Sequence, residues 1–105
     1  MAQFDLYCNP NPTTRTRIPY LLDVQSDLLD SLATRAVVPL CKPAVLKCRL
    51  AERLNPAFEI DGRKLCMLTP ELAGVPVRAL AAAVGNLAGE RAAVIAAIDL
   101  LITGI

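Results

Sequence analysis

The last third of the chain contains an apolar segment that restricts how the whole chain can fold. Between Ala92 and Ile102 the only polar residue is Asp99. The Ala- and Leu-rich composition after Gly89 predicts a helix over residues 90–102, with Glu90 at the positive end of its dipole. A helix that is apolar nearly all round must be covered on more than one side. Because 105 residues offer little else to cover it, we expect a homodimer in which a two-fold related copy packs on the exposed face.

The first 77 residues predict a β-rich unit of short strands. Alternating apolar residues and β-branched runs, bounded by Pro, Asn, Asp or Gly, are typical of half-buried strands. The predicted strands are 3–8, 20–25, 35–41, 46–53, 57–60 and 63–68. The spacing within 46–53 fits a helix equally well. Pro39 has no backbone N–H, so it favours a sheet edge or a bulge for the third strand.

The segments between these strands carry turn signals. Two Asn-Pro steps and Pro19 predict an exposed loop over residues 9–19. Asp61-Gly62 between two apolar runs predicts a tight hairpin turn, and a further loop opens at Pro70. Leu28 and Leu29 lie in a turn, where leucines more often fold inward to the core, but the flanking Asp27 and Asp30 favour their exposure as a partner contact.

Composition excludes several classes of protein. With 54% hydrophobic and 20% charged residues, the chain is expected to form one globular domain over 1–105 and not a disordered segment. A net charge of +1 provides no general attraction for nucleic acid or anionic membranes. No uninterrupted apolar stretch reaches the roughly 18 to 20 residues of a membrane span. The first residues lack the features of a secretory signal, so we expect a cytoplasmic protein.

The inventory of reactive side chains argues against a conventional enzyme. The chain has no histidine, which removes the commonest general base and any Cys-His nucleophile pair. Its four cysteines, Cys8, Cys41, Cys48 and Cys66, include no Cys-x-x-Cys pair. We therefore expect them to be small buried hydrophobic residues, with no disulfide, metal site or cofactor.

Several short strings resemble one family, the CcdB toxins of CcdA/CcdB toxin-antitoxin modules. They are "LLDVQSDLLD" at 21–30, "RAVVPL" at 35–40, "VPV" at 75–77 and a C-terminal helix ending in Gly-Ile. The string Val-Gln-Ser-Asp is the most specific, because strand propensity alone would not generate it. The order and spacing of these strings hold from residue 20 to the end.

The resemblance implies a fold and a function. The fold would be an SH3-like antiparallel β-barrel, shared with the MazF and Kid toxins, with a C-terminal helix and a homodimeric assembly. The function would be that of a type II toxin that binds the DNA gyrase A subunit and traps the cleaved gyrase-DNA complex. Such a protein is an inhibitor and not an enzyme. A CcdA-like antitoxin with a disordered tail that folds on binding would hold it inactive.

The resemblance also implies a gyrase-binding surface made of a turn and a tail. The family ends in Trp-Gly-Ile, and these residues carry most of the gyrase contact, together with helix residues and the turn after Val-Gln-Ser-Asp. The corresponding residues here are Leu28, Leu29, Asp99, Ile102, Thr103, Gly104 and Ile105. Thr103 replaces the tryptophan. Truncating an interface tryptophan commonly costs about 2 to 4 kcal/mol of binding free energy.

That replacement leaves other interpretations open. One alternative is a CcdB-like module that still binds an antitoxin but no longer poisons gyrase. A second is an RNA-cleaving toxin like MazF and Kid, using the basic loop that contains Arg15 and Arg17, although two arginines in a loop are usually solvated and no sequence-specific nucleic-acid binding is expected. Thr103-Gly104-Ile105 could also be an ordinary helix stop, with Gly104 as the left-handed cap.

Overall fold

The computed structural model describes residues 1–43 and 53–104. Seven strands, one α-helix and several 3-10 turns form within them. The bounds are β1 Asp5–Cys8, β2 Tyr20–Asp23, β3 Thr34–Cys41, β4 Ala57–Ile60, β5 Arg63–Met67, β6 Ala73–Pro76, β7 Gly85–Asn86 and α1 Arg91–Thr103. The 3-10 turns are Asp27–Leu29, Thr69–Glu71, Val77–Ala79 and Ala88–Glu90.

The strands form one antiparallel sheet, curled into a half-barrel, with the helix at the C-terminal end of the chain. The strand order is β4-β5-β3-β2-β1-β7. β3 is central because it changes partner along its length: its first half pairs with β6, its last two residues pair with β5, and β2 lies along its other side. The expected mainly β, barrel-like fold with a C-terminal helix is therefore confirmed.

Of the two positions predicted for Pro39, a sheet edge or a bulge, the sheet edge is wrong. It lies in the central strand β3, opposite Leu21 of β2. Its carbonyl accepts a hydrogen bond of 2.9 Å from the Leu68 N–H, on the side where β5 and β6 pair. The ring nitrogen faces that same side. On this side the pairing with β6 ends at Val37 and the pairing with β5 begins at Leu40, so Pro39 lies between the two. Because the proline sits where β3 changes partner, its missing N–H removes no ladder hydrogen bond.

The β4-β5 hairpin forms at the predicted dipeptide. Asp61 and Gly62 have positive φ angles of 51° and 76°, the pattern of a two-residue type I′ turn. Ile60 and Arg63 pair directly across it. The turn geometry thus sets the register of the two strands.

The main core lies between one face of the sheet and α1. Val94 and Ala97 of the helix are fully buried against it. The buried sheet-side and N-terminal residues of this cluster are Phe4, Leu6, Leu22, Val38, Leu40, Phe58, Ile60, Leu65 and Met67. Leu101 and Ile102, near the end of the helix, remain 38% and 70% exposed. The protomer therefore covers one side of the apolar helix and leaves another side open.

Element boundaries differ from the predictions by one or two residues in most cases. The predicted helix 90–102 corresponds to α1, and Glu90 precedes its first turn. Residues 9–19 form a loop of turns, as predicted. β6 and β7 are not predicted, because "AGVP" contains Gly and Pro and "GN" is only a two-residue bridge to β1. The predicted element 46–53 lies outside the described residues except for Arg53, which is in a turn.

The cysteines divide into two groups. Cys41 and Cys66 are buried free thiols that face each other across β3 and β5, as expected of small hydrophobic residues. Burial raises the pKa of the Cys41 thiol to about 11. Cys8, the last residue of β1, is exposed, contrary to the prediction. Cys48 lies outside the described residues.

None of the helices described here is long and apolar enough to cross a membrane.

Candidate functional site: an exposed turn and a helix end

The turn after Val-Gln-Ser-Asp presents two leucines to solvent. Asp27–Leu29 forms a 3-10 turn in which the Leu28 N–H donates to Ser26 Oγ at 3.2 Å and the Leu29 N–H donates to the Ser26 carbonyl at 2.9 Å. Leu28 is 93% exposed and Leu29 is 49% exposed. Their predicted exposure is confirmed. The turn therefore presents a large apolar side chain to solvent.

Gln25 fastens the end of this turn to the sheet. Its side chain is buried, and its amide Nε2 donates to the Leu29 carbonyl at 2.8 Å. Its Oε1 accepts from the Ala36 N–H of β3 at 3.0 Å. One amide group therefore satisfies a backbone donor and a backbone acceptor on two different elements.

A buried ion pair lies beneath the turn. Arg35 Nε and Asp23 Oδ2 are 2.7 Å apart, and both side chains are 0% exposed. Asp23 Oδ1 also accepts from the Gln25 N–H at 3.0 Å. Arg35 Nη1 continues outward to Asp30 Oδ1, 3.2 Å away, at the exposed end of the turn. The hydrogen bond to Asp23 raises the pKa of Arg35, so this guanidinium stays charged inside the protein.

Tyr7 packs on the same side of the sheet as this pair. It is 1% exposed, and its hydroxyl lies 3.5 Å from Asp5 Oδ2. Burial, with further contributions from the negative charges of Asp5 and Asp23, raises the pKa of Tyr7 to about 12. The phenol is therefore neutral throughout the physiological pH range and has no role as a base.

Arg35, Tyr7 and the hydrogen bonds of Gln25 are not among the features predicted from the sequence. A signal was nevertheless present. Asp23 and Arg35 interrupt the buried positions of two otherwise apolar strands, and charged residues are almost never fully buried unless they are paired. Only the pairing of β2 with β3 identifies them as partners, because 12 residues separate them in the chain.

The outer side of the turn is linked to the N-terminus and to the start of α1. Asp27 Oδ1 accepts from the Gln3 N–H at 2.8 Å, and the Gln3 amide donates to the Val24 carbonyl at 3.2 Å. Arg91, the first residue of α1, donates to Gln3 Oε1 at 3.4 Å, and its guanidinium lies 5.6 Å from the centroid of the Phe4 ring. The turn is thus connected to the beginning of the helix.

The end of α1 is closed by the left-handed cap that the sequence allows. Gly104 has φ 75° and ψ 18°, and its N–H donates to the Leu100 carbonyl at 3.0 Å. The Thr103 hydroxyl donates to the Asp99 carbonyl at 2.6 Å, within the same helical turn. Asp99, Ile102, Thr103 and Gly104 are all exposed. Ile105 lies outside the described residues.

The turn and the helix end occupy different places on the protomer. At 1.5 Å per residue, Asp99 and Thr103 lie about 12 and 18 Å along the helix axis from Arg91. The hydrogen bonds of the described residues connect the turn to the Arg91 end and not to the Thr103 end.

The basic loop is closed by its own hydrogen bonds. Asn9 holds it closed, since its Nδ2 donates to Thr14 Oγ1 and to the Ile18 carbonyl, both at 2.9 Å. Arg15 is exposed and reaches only the Pro10 carbonyl, at 3.4 Å. Arg17 is exposed as well. This arrangement is typical of a solvated surface.

Within residues 1–43 and 53–104, no three His, Cys, Asp or Glu side chains are grouped as metal ligands. The surface can therefore be described by shape and apolar exposure: a braced turn carrying Leu28 and Leu29, and a capped helix end carrying Ile102. The family model described as "CcdB protein" matches residues 3–104, nearly the whole chain. This chain therefore belongs to the CcdB family, the non-enzymatic toxins of toxin-antitoxin modules.

Proposed function

We propose that this protein binds the DNA gyrase A subunit and traps the gyrase-DNA complex in its cleaved form. The observation that carries the proposal is the exposure of Leu28 to 93% on a turn that the sheet holds in place. Burial of a large apolar side chain by a partner stabilises the complex. The contribution is about 1.5 to 3 kcal/mol for a fully buried leucine. Leu29, Asp99, Ile102, Thr103, Gly104 and Ile105 complete the proposed contact.

The active form in this proposal is a homodimer. The apolar face of α1 with Leu101 and Ile102 is open in the protomer, and a second copy would cover part of it. The dimer would also supply two turns and two helix ends to one gyrase. Its partner in the resting state would be a CcdA-like antitoxin, in keeping with the toxin-antitoxin family, and its site of action would be the cytoplasm.

Thr103 makes the tail of this toxin chemically different from the Trp-Gly-Ile tail that the resemblance implies. Its hydroxyl is already bonded to the Asp99 carbonyl, and it has no aromatic surface to offer a partner. Gyrase binding in this protein would therefore depend more on the turn than on residue 103. The same observation favours a second candidate function, a CcdB-like module that binds its antitoxin without poisoning gyrase.

A cleavage assay with gyrase, supercoiled plasmid and ATP tests the proposal. We expect linear DNA to accumulate with the full chain, and much less of it with Leu28→Ser. Val84→Ser is the matched control, because Val84 is also exposed (56%) but lies outside the proposed surface. A version truncated after Thr103 measures what Gly104 and Ile105 contribute. Absence of linear DNA with the full chain would contradict gyrase poisoning.

The two candidate functions separate on one further variant. If the parent is inactive but Thr103→Trp traps cleaved DNA, the chain is a module that lost its gyrase anchor. If the parent is already active, the second candidate is wrong. Incubation of the parent with RNA in the same buffer tests the RNA-cleaving alternative, which intact RNA would contradict.

A further inference from the structure

The Leu28-Leu29 turn is held by side chains that never reach its tip. Only backbone hydrogen bonds and Ser26 Oγ close the turn itself, and none of its 3-10 residues is buried. An exposed turn with so few internal contacts would open locally at low free-energy cost. Its position therefore depends on groups outside the turn: Gln3, whose N–H donates to Asp27 Oδ1 at 2.8 Å, and the residues beneath the turn.

Gln25 is the residue that joins the turn to the sheet most directly. Its Oε1 accepts from the Ala36 N–H of β3 and its Nε2 donates to the Leu29 carbonyl, at 3.0 and 2.8 Å. The side chain is 8% exposed, so water competes weakly for either bond. No carboxylate can replace it, because a carboxylate accepts hydrogen bonds but has none to donate.

Two further contacts hold Gln25 and the end of the turn in register with the sheet. The Gln25 N–H donates to Asp23 Oδ1, and Asp23 is fixed by the buried Arg35. The same guanidinium reaches Asp30 at the far end of the turn, at 3.2 Å. The turn is thus anchored at Gln25, at Leu29 and at Asp30 to one ion pair and one backbone amide of β3.

We propose that Gln25 is a positioning residue for the gyrase-binding turn: it holds Leu28 and Leu29 in their exposed arrangement without contacting the target. The proposal rests on the proposed gyrase contact of these leucines. Binding then requires no ordering of the turn, and pre-organisation of this kind raises affinity by removing an entropic cost. Asp30, through Arg35, is a second brace of the same turn.

The test compares Gln25→Glu with the parent in three measurements on the full-length protein. The first is amide hydrogen exchange of Leu28 and Leu29, with Val38 of β3 as the internal reference for the sheet. The second is urea unfolding, and the third is affinity for purified gyrase A subunit by surface plasmon resonance. The charged carboxylate of the variant still accepts from the Ala36 N–H but has no proton to donate to the Leu29 carbonyl, so the brace to the turn is lost. It also adds a buried negative charge, and urea unfolding measures the cost of that charge to the whole fold.

We expect exchange of the Leu28 and Leu29 amides to become about tenfold faster relative to Val38, and gyrase affinity to fall about tenfold, the usual net effect of losing one internal hydrogen bond. A residue with a merely structural role would speed exchange of all three amides together. Exchange of the turn amides that stays in proportion to Val38 would overturn the proposal. So would an affinity loss no larger than the loss of folded protein.

Asp30→Ala keeps the test decisive if Gln25→Glu does not fold. Its side chain is 60% exposed, so its removal spares the core, and it releases the far end of the turn from Arg35. The same selective increase in exchange is expected, and its absence would overturn the bracing of the turn. Leu28→Ser separates the proposed gyrase contact from the proposed bracing of the turn. If this variant binds gyrase like the parent, the gyrase contact is wrong, and hydrogen exchange alone then tests the bracing.

Discussion

Asp23 and Arg35 form a buried ion pair that helps to fix the position of the neighbouring exposed turn. Both side chains are fully buried and 2.7 Å apart, and each also bonds to a group that belongs to the exposed turn. A buried ion pair contributes little net stability, but loss of one partner leaves an uncompensated charge in the protein interior. The pair therefore acts chiefly by excluding other arrangements of β2, β3 and the turn.

Arg35→Met should lower the free energy of unfolding by about 3 to 5 kcal/mol, because it leaves Asp23 charged and buried. The double variant Asp23→Asn/Arg35→Met should recover part of this loss, since the asparagine carries no charge and still accepts from the Gln25 N–H. Urea unfolding monitored by circular dichroism measures both. A double variant less stable than the single one would contradict this account.

Stability should fall at alkaline pH because the folded state raises two pKa values. The pKa of Tyr7 rises from 10.0 to about 12 and that of Cys41 from 9.0 to about 11, so folding favours the protonated forms. The stability they contribute is complete below about pH 9 and is lost progressively between about pH 9 and pH 12. Tyr7→Phe should flatten the part of this loss above about pH 10, as measured by thermal unfolding across pH. An alkaline decline identical in parent and variant would exclude Tyr7 as its source.

At the scale of the element, α1 illustrates how one residue ends a helix. Gly104 adopts a left-handed conformation and returns its N–H to Leu100, which satisfies a carbonyl of the last turn. The space around its Cα is open, since a Cβ placed there would meet nothing within 4 Å. The requirement for glycine is therefore conformational and not steric.

Gly104→Ala should lower the free energy of unfolding by about 1 kcal/mol, the cost of a left-handed conformation for a residue with a Cβ. Gly104→Asn is the matched control and should cost less, because asparagine tolerates this conformation. Chemical denaturation of the three proteins checks the order. If alanine costs nothing, the cap does not persist in solution and the tail is not ordered by it.

At the scale of the whole molecule, the half-barrel and the helix cover each other only in part. Val94 and Ala97 are buried by the sheet, whereas Leu101 and Ile102 remain exposed on the same helix. Exposed apolar residues of this size commonly mark an interface. In the proposed homodimer the second copy covers the part of this face around Leu101, and Ile102 stays available for the proposed gyrase contact.

Sedimentation equilibrium at micromolar concentration should give twice the chain mass of 11.2 kDa. Leu101→Lys should shift the protein toward the monomer, because it places a charge on the apolar face of α1. Val84→Lys is the control, since Val84 is exposed but lies outside the helix. A mass equal to one chain for the parent would rule out the dimer.

Much of the fold and part of the candidate site follow from local patterns in the chain. Two-residue alternation predicts β1 and β2, Asp61-Gly62 predicts the hairpin, and the Ala- and Leu-rich segment predicts α1 within a residue at either end. Leu28 and Leu29 are recognisable as exposed because aspartates flank them. These features are local: a backbone preference or a neighbouring charge decides each of them.

The rest depends on which strands become neighbours, which no local pattern specifies. From the sequence, Pro39 is expected at a sheet edge or a bulge. In the structure it lies in a central strand, at the point where β3 changes partner from β6 to β5. The local sequence does not distinguish Gln25, Asp23 and Arg35 from surface polar residues. They are buried together because β2 pairs with β3. Strands β1 to β5, the helix α1, the exposed leucines and the glycine cap are predictable from the sequence, because they follow from short-range conformational preferences. The contacts that brace the turn are not predictable in this way, because they form only when residues from different strands meet in the folded protein.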